Sequence, residues 1–329
     1  MHFSRQGSVR CACAAFAGTM IGLLSAGAAP AAAPAPPAIV SGGPYTLGKQ
    51  PDGNSVIFEG ARELVVFDTG RHPEHQAKIL AFARARGKPV AAIVNSHWHL
   101  DHSGGNQEIR AAFPRAKLYA SDAVEGALDG FLARSLASGK ARIADGSVSD
   151  ADKADTRLDV AAIGDRKDLI PDVPVTRATV LPLRGRWLEL HLAPHAATAG
   201  DVWAYDPATR TLAAGDLVVL PAPFFDTACP EGWRRALAAI AKVPFERLVP
   251  GHGEPMSHAQ FDRYRTAYDR LVDCSESGKA KETCIAGWQK DASAFLAGDE
   301  ERKTAAALLN YYFEVVLRSL AKKKEYCDA

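Results

Sequence analysis

The feature that most restricts this chain is the run Val90-Ala91-Ala92-Ile93-Val94-Asn95, which opens without a spacer into Ser96-His97-Trp98-His99-Leu100-Asp101-His102. An almost wholly apolar, β-branched run of this length reads as a strand buried on both faces, as in the parallel part of an α/β sheet. Its exit carries three His and one Asp within six positions, a density of metal donors that packing does not call for. His97 and His99 alternate, so an extended backbone sends both to one side. Asp101 and His102 follow in the turn, within reach of a second ion. Neutral imidazoles with a carboxylate suit zinc and leave positions open for water.

The flanking sequence supports the α/β reading. Residues 55–58 and 63–67 are strand-like, and the second run ends in the turn Asp68-Thr69-Gly70. Apolar residues at Ile79, Leu80, Phe82 and Ala83 predict a helix over 75–86, and residues 106–113 predict another that stops before Pro114. Residues 117–120 form the next strand. The Ala-, Asp- and Lys-rich stretch 121–170, with Leu128, Phe131, Leu132 and Leu136 at helical spacing, reads as a helical insertion. A second strand-rich half begins near Val173, with strands at 178–183, 187–192, 202–205, 212–214 and 247–249 and a helix at 231–241. Residues 257–329 read as helical, with Leu308, Tyr311, Tyr312, Val315, Val316 and Leu320 expected on one helix face.

Taken with its surroundings, His97-x-His99-x-Asp101-His102 resembles the hallmark motif of the metallo-beta-lactamase superfamily. Asp68-Thr69-Gly70, Gly215-Asp216 and Pro250-Gly251-His252-Gly253 follow strands in that family's order. The resemblance implies an αββα sandwich over 45–256, α/β (α+β) in class, with the insertion and the C-terminal helical extension added to it. It implies His97 and His99 on a first zinc, and Asp101, His102 and His252 on a second. Asp216 would bridge the two, and Asp68 would support the ligand loop from behind. The family's usual His-Thr-x-Gly-Asp departs here: Thr198-Ala199-Gly200-Asp201 fits, but Ala197 precedes Thr198 and His195 stands two positions earlier. The expectation is that the loop bulges and His195 still reaches the first ion. His191 reads as structural, and His72 and His75 as surface loop.

The implied chemistry is hydrolysis. Two zinc ions bring a bridging water to a pKa of roughly 7 and polarise a carbonyl, with Asp101 or Asp216 orienting the nucleophile or taking its proton. An Asp at 216 is similar to hydroxyacylglutathione hydrolases, lactonases and nucleases of the superfamily, whereas its β-lactamases usually carry Cys or Ser there. The favoured substrate is a small ester, thioester, lactone or related carbonyl compound, with Phe224 and Phe225, near Trp233, as an apolar wall. The alternatives are a β-lactam hydrolase, an iron-dependent sulfur oxygenase of the same superfamily, and a non-catalytic periplasmic protein that binds metal or ligand.

The N-terminus bears on location. Arg5 and Arg10 precede an apolar run and Ala26-Gly27-Ala28, so residues 1–28 read as a secretory signal peptide, too short in its apolar part for a stable span. Residues 29–44 read as an Ala/Pro-rich linker. Cleavage removes two Arg and takes the net charge from +1 to −1, which argues against nucleic acid as a partner. An exported, periplasmic or secreted protein meets an oxidising compartment. The remaining Cys229, Cys274, Cys284 and Cys327 are therefore expected in disulfides, Cys274–Cys284 preferred and Cys229–Cys327 the second candidate. The oligomeric state stays open.

Overall fold

Strands buried on both faces need cover on both, and the first sheet shows how this chain supplies it. In the computed structural model, residues 34–327 apart from Leu47 and Ala151, together with Gly7, are described. The expected signal peptide, Gly7 aside, and residues 29–33 lie outside the described residues. The first sheet opens with β1 (Ala38–Val40), β2 (Ser55–Glu59) and β3 (Leu64–Phe67), paired antiparallel in sequence order. Helix α1 (Pro73–Arg86) then crosses to β4 (Val90–Val94), which lies parallel to β3. The short α2 (Leu100–Ser103) and α3 (Asn106–Ala112) lead to β5 (Lys117–Ala120), parallel to β4. The insertion supplies α4 (Ala123–Asp129), α5 (Phe131–Ala144) and α6 (Ala154–Gly164). The chain returns as β6 (Val173–Pro174) beside β5.

Two expectations change here. Residues 29–44 are not linker throughout, because Ala38–Val40 is the edge strand of this sheet. Val173–Pro174 closes the first sheet rather than opening the second.

The second sheet runs β7 (Thr179–Leu183), β8 (Arg186–Pro194), β9 (Gly200–Asp206) and β10 (Thr211–Val219), antiparallel throughout. After α7 (Pro230–Ile240), β11 (Arg247–His252) joins β10 in parallel. Alternation sorts the side chains between layers. Val56, Phe58, Phe67 and Val94 of the first sheet meet Leu188, Leu190, Val202 and Val249 of the second. Ile57, Val66 and Ile93 turn the other way, onto Ile79 of α1 and Ile109 of α3. The result is the αββα sandwich.

The C-terminal extension covers the outer face of the second sheet. It comprises α8 (His258–Glu276), α9 (Lys281–Asp291) and α10 (Asp299–Tyr312), a π-helical turn over Phe313–Leu317, and α11 (Leu320–Cys327). Ser257 caps α8 reciprocally with Gln260. Trp233, Tyr264, Tyr268 and Trp288 pack in one fully buried cluster with Leu309, and Trp288 Nε1 donates to the Pro221 carbonyl at 3.0 Å. Both expected disulfides are present: Cys274–Cys284 joins α8 to α9, and Cys229–Cys327 ties α11 to the start of α7.

The single apolar face expected from Leu308 to Leu320 is split. Leu308, Tyr312 and Val316 are buried, while Tyr311, Val315 and Leu320 are exposed. The π-helical turn shifts the angular register, so Phe313 and Leu317 turn inward instead.

Candidate metal centre

The donors that converge here come from β10, the end of β11 and the segment that leaves β4, so one edge of the sandwich gathers them. His97 and His99 follow β4. Asp216 lies within β10 and His252 ends β11. The fold brings Asp101, His102, Asp216 and His252 together as one group of buried donors, and His97 and Asp216 with the half-buried His99 as another. Six of the seven residues expected to bind metal therefore meet.

The first group approximates a tetrahedron. His252 Nε2 lies 3.0 Å from Asp101 Oδ2 and 3.7 Å from Asp216 Oδ1. His102 Nε2 lies 3.1 Å from Asp216 Oδ1, 3.3 Å from His252 Nε2 and 3.5 Å from Asp101 Oδ2. An ion with tetrahedral bonds of about 2.1 Å has donor–donor edges near ~3.4 Å, so these spacings fit. Gly251 is required by the crowding: a Cβ there would stand 2.0 Å from Asp216 Oδ1. Gly53 serves His102 likewise, since a Cβ there would meet its ring at 2.3 Å.

Asp68 sets the tautomers from beneath. Its backbone is left-handed, φ 61°, a conformation uncommon for a residue with a side chain. What holds it there is a full set of partners. Its carboxylate accepts from the Ser96 N–H at 2.7 Å, the Ser96 hydroxyl at 2.8 Å and His102 Nδ1 at 2.8 Å. With its hydroxyl proton given to Asp68, Ser96 Oγ accepts from His97 Nδ1 at 2.9 Å. Both imidazoles thus donate from Nδ1 and turn Nε2 toward the centre, the orientation a metal ligand needs.

The donor chemistry fits a cation. His97 Nε2 and both Asp216 carboxylate oxygens are buried without a hydrogen-bond partner, and atoms of that kind are rare unless an ion or water completes them. Charges around the cluster point the same way. Burial and the neighbouring His99 and His102 hold the His97 imidazole well below its ordinary range. Burial would lower His102 too, but the Asp216, Asp101 and Asp68 carboxylates outweigh it and hold it well above. Burial opposes ionisation of Asp216, yet His102 and His252 hold its carboxyl far below the usual range.

His195 is not among the converging donors. It begins a tight turn, closed by its N–H to the Ala199 carbonyl at 3.0 Å and by Ala196 N–H to the Thr198 carbonyl at 2.8 Å. Its own backbone is left-handed, φ 48°, and its carbonyl presses on Gly232 in the first turn of α7. Its Nδ1 is buried without a partner. At the position the motif assigns to His stands Ala197, whose carbonyl lies 3.3 Å from Thr227 Oγ1. That hydroxyl is also 3.3 Å from His99 Nε2. The group of His97, His99 and Asp216 therefore has two imidazoles and a shared carboxylate, with Thr227 beside it. Asp201 anchors the same loop. Burial, only partly offset by hydrogen bonds from Thr198, pushes its carboxyl up to about 7.

Two lobes of a cleft meet at the centre, each about 330 Å³, and His99, Asp101, Arg71, Gln50 and Asp226 border both. Tyr45, Phe224, Leu308, Tyr311 and Tyr312 wall one lobe. Trp98, Phe131, Leu132, Ser135 and Asp159 wall the other. Phe224 thus takes its expected place, 5.3 Å from the His252 ring. Phe225 does not: it is fully buried among Trp233, Tyr268 and Tyr312. Trp233 is core as well. Arg71 is a residue the sequence reading missed. It reaches Asp101 at 3.9 Å and pairs closely with Asp159 of α6. The adjacent His72 bonds Asp52 at 2.9 Å and Asp155 of α6 at 3.3 Å. His75, expected on the surface, is buried against the Ser55 hydroxyl at 2.8 Å. His191 stacks on Trp203 at 3.9 Å, the structural role expected of it.

A sequence profile described as the metallo-beta-lactamase superfamily matches residues 49–252. Over 44 residues the chain is 46% identical to the hydroxyacylglutathione hydrolase of Synechococcus sp. (strain JA-3-3Ab), a stretch covering 13% of this chain and 18% of that one. The match thus spans well under two thirds of that curated relative. Its fold is similar to the stereoselective inverting sec-alkylsulfatase Pisa1 of Pseudomonas sp., with TM-score 0.56 and 19% identity over 83% of this chain and 47% of that one. It is similar also to the DIM-1 metallo-beta-lactamase, with TM-score 0.50 and 14% identity over 68% of this chain and 88% of that one. At such identities the structural likeness speaks for the fold alone.

Proposed function

Since the chain belongs to the metallo-beta-lactamase superfamily, we propose that it is a zinc-dependent hydrolase of a small ester, thioester, lactone or related carbonyl compound. The observation that carries this reading is the pair of donor groups sharing Asp216 at the floor of a two-lobed cleft. Asp101, His102, Asp216 and His252 would hold one ion, and His97, His99 and Asp216 the other. Zinc bound there supplies Lewis acidity toward a carbonyl oxygen and lowers the pKa of water toward roughly 7.

The chain's own residues do the rest. Asp216 spans both donor groups and fixes their separation. Asp101 orients the attacking water and receives its proton, with Arg71 beside its other oxygen. The aromatic and aliphatic walls exclude bulk water from the acyl group. With Arg71 the only Lys or Arg among the described residues bordering the two lobes, the cleft suits a small molecule rather than a polyanion. Two disulfides support an exported protein in an oxidising compartment. Among the described residues no helix is long and apolar enough to cross a membrane.

The test is turnover by the zinc-loaded protein on a panel of nitrophenyl esters, acyl thioesters and lactones, with Asp216→Ala as control. We expect saturable hydrolysis, reduced at least ~100-fold by the substitution while circular dichroism is unchanged. Wild type with zinc bound and no turnover on any class would overturn the reading. A second reading has an observation of its own. Two imidazoles and one carboxylate, His97, His99 and Asp216, form the donor set of non-haem iron oxygenases. Iron in the purified protein with oxygen uptake on thiol substrates, and no hydrolysis, would decide for it.

A further inference from the structure

Asp226 borders both lobes of the cleft, but four aromatic rings line one lobe and two the other. In the lobe walled by Tyr45, Phe224, Tyr311 and Tyr312, the carboxylate of Asp226 is partly exposed and pairs with no cation among the described residues. Its Oδ2 accepts from the Tyr312 hydroxyl at 2.7 Å, and Oδ1 has no partner among the described residues. Tyr312 is nearly fully buried, and burial followed by the Asp226 charge holds its hydroxyl well above the ordinary range, so it stays a donor. Among the described residues Arg71 is the only Lys or Arg in that lobe, and Asp159 and Asp101 already engage it. The rings are mutually braced: Tyr45 packs on Phe224 at 5.4 Å between centroids, and Tyr311 on Tyr312 at 5.3 Å. Aromatic faces carry the negative end of a quadrupole, and a carboxylate among them makes the surround of an organic cation.

We propose that this lobe recognises an ammonium group, and that the substrate is a carbonyl compound bearing a quaternary or protonated amine. This rests on the hydrolase reading. The cation seats between Asp226 and the aromatic wall, and the tether carries the carbonyl to His99 and Asp101, which border both lobes. The second lobe, walled by Trp98, Phe131 and Leu132 and with its Asp159 already paired to Arg71, takes the remainder of the substrate. An anionic substrate would meet Asp226 unfavourably and find no free cation in the lobe.

Two esters of one acid, a choline ester and its uncharged 3,3-dimethylbutyl isostere, separate charge from shape. The zinc-loaded protein is expected to favour the choline ester by at least about tenfold in kcat/KM, and Asp226→Asn to bring that ratio close to one. Equal rates for the two esters in wild type, or a ratio unchanged in Asp226→Asn, would overturn the proposal while leaving hydrolysis intact. If neither ester is turned over, calorimetry with tetramethylammonium on the zinc-loaded protein decides separately. Saturable binding weakened about tenfold or more in Asp226→Asn supports the cation site, and no binding, or binding equal in both proteins, overturns it. Circular dichroism confirms that the variant is folded before either comparison.

Discussion

At the scale of single residues, the centre divides into a complete half and an altered half. Asp101, His102, Asp216 and His252 supply four donors at near-tetrahedral spacing, whereas His97, His99 and Asp216 supply three, with Thr227 beside them. Metal content should therefore be unaffected by His195→Ala. Thr227→Val should weaken the more loosely held ion, read as a lower affinity in chelator competition. Loss of one ion per chain in His195→Ala would instead place that imidazole on the metal. His75 sets a pH dependence for folding. Burial lowers its pKa to about 4 from 6.5. Between those values the unfolded chain binds the extra proton and the folded one does not, so stability falls as pH drops through that window and is fully present above it. At about 1.4 kcal/mol per pKa unit, the loss approaches ~3 kcal/mol. Urea unfolding should show the advantage of wild type over His75→Gln shrinking from pH 7.5 to 4.5; a constant difference would exclude this account. The local run from His97 to His102 was legible because its three His and one Asp stand within six positions of a buried strand's exit. The place of His195 was not, because a turn with a left-handed residue cannot be read from spacing.

At the scale of elements, strand after strand was legible from apolar runs, while helix faces in the extension were less so. The buried stripe runs through Leu308, Leu309, Tyr312, Phe313, Val316 and Leu317, which leaves Tyr311 in α10 and Val315 in the π-helical turn facing outward. Tyr312 nonetheless reaches Asp226 in the cleft, a contact between residues 86 positions apart that no local pattern announces. The end of this extension is held by Cys229–Cys327, which closes a loop across 98 positions. Removing a crosslink of that span restores much chain entropy to the unfolded state. The double variant Cys229→Ser/Cys327→Ser should lose about 2–4 kcal/mol in denaturant unfolding. An unchanged midpoint would mean that packing alone secures α11.

For the whole molecule, the sequence reading reached the sandwich and most of the His and Asp side chains that converge at its edge. It reached Phe224 of the cleft's walls but not the other wall residues. Those come from the segment before β2, from α5 and α6 of the insertion, and from α10 of the extension, and only the folded topology brings them to one rim. Arg71 and His72 fasten the insertion through Asp159 and Asp155, one helical turn apart on α6. The donors, by contrast, sit on the sheets and the loops that leave them. Inheritance can therefore act on the two parts separately. Descendants of such a chain can exchange what they accept by drift in peripheral helices while the reaction centre passes down unaltered, and a directed-evolution library confined to α5 and α10 would exploit the same freedom.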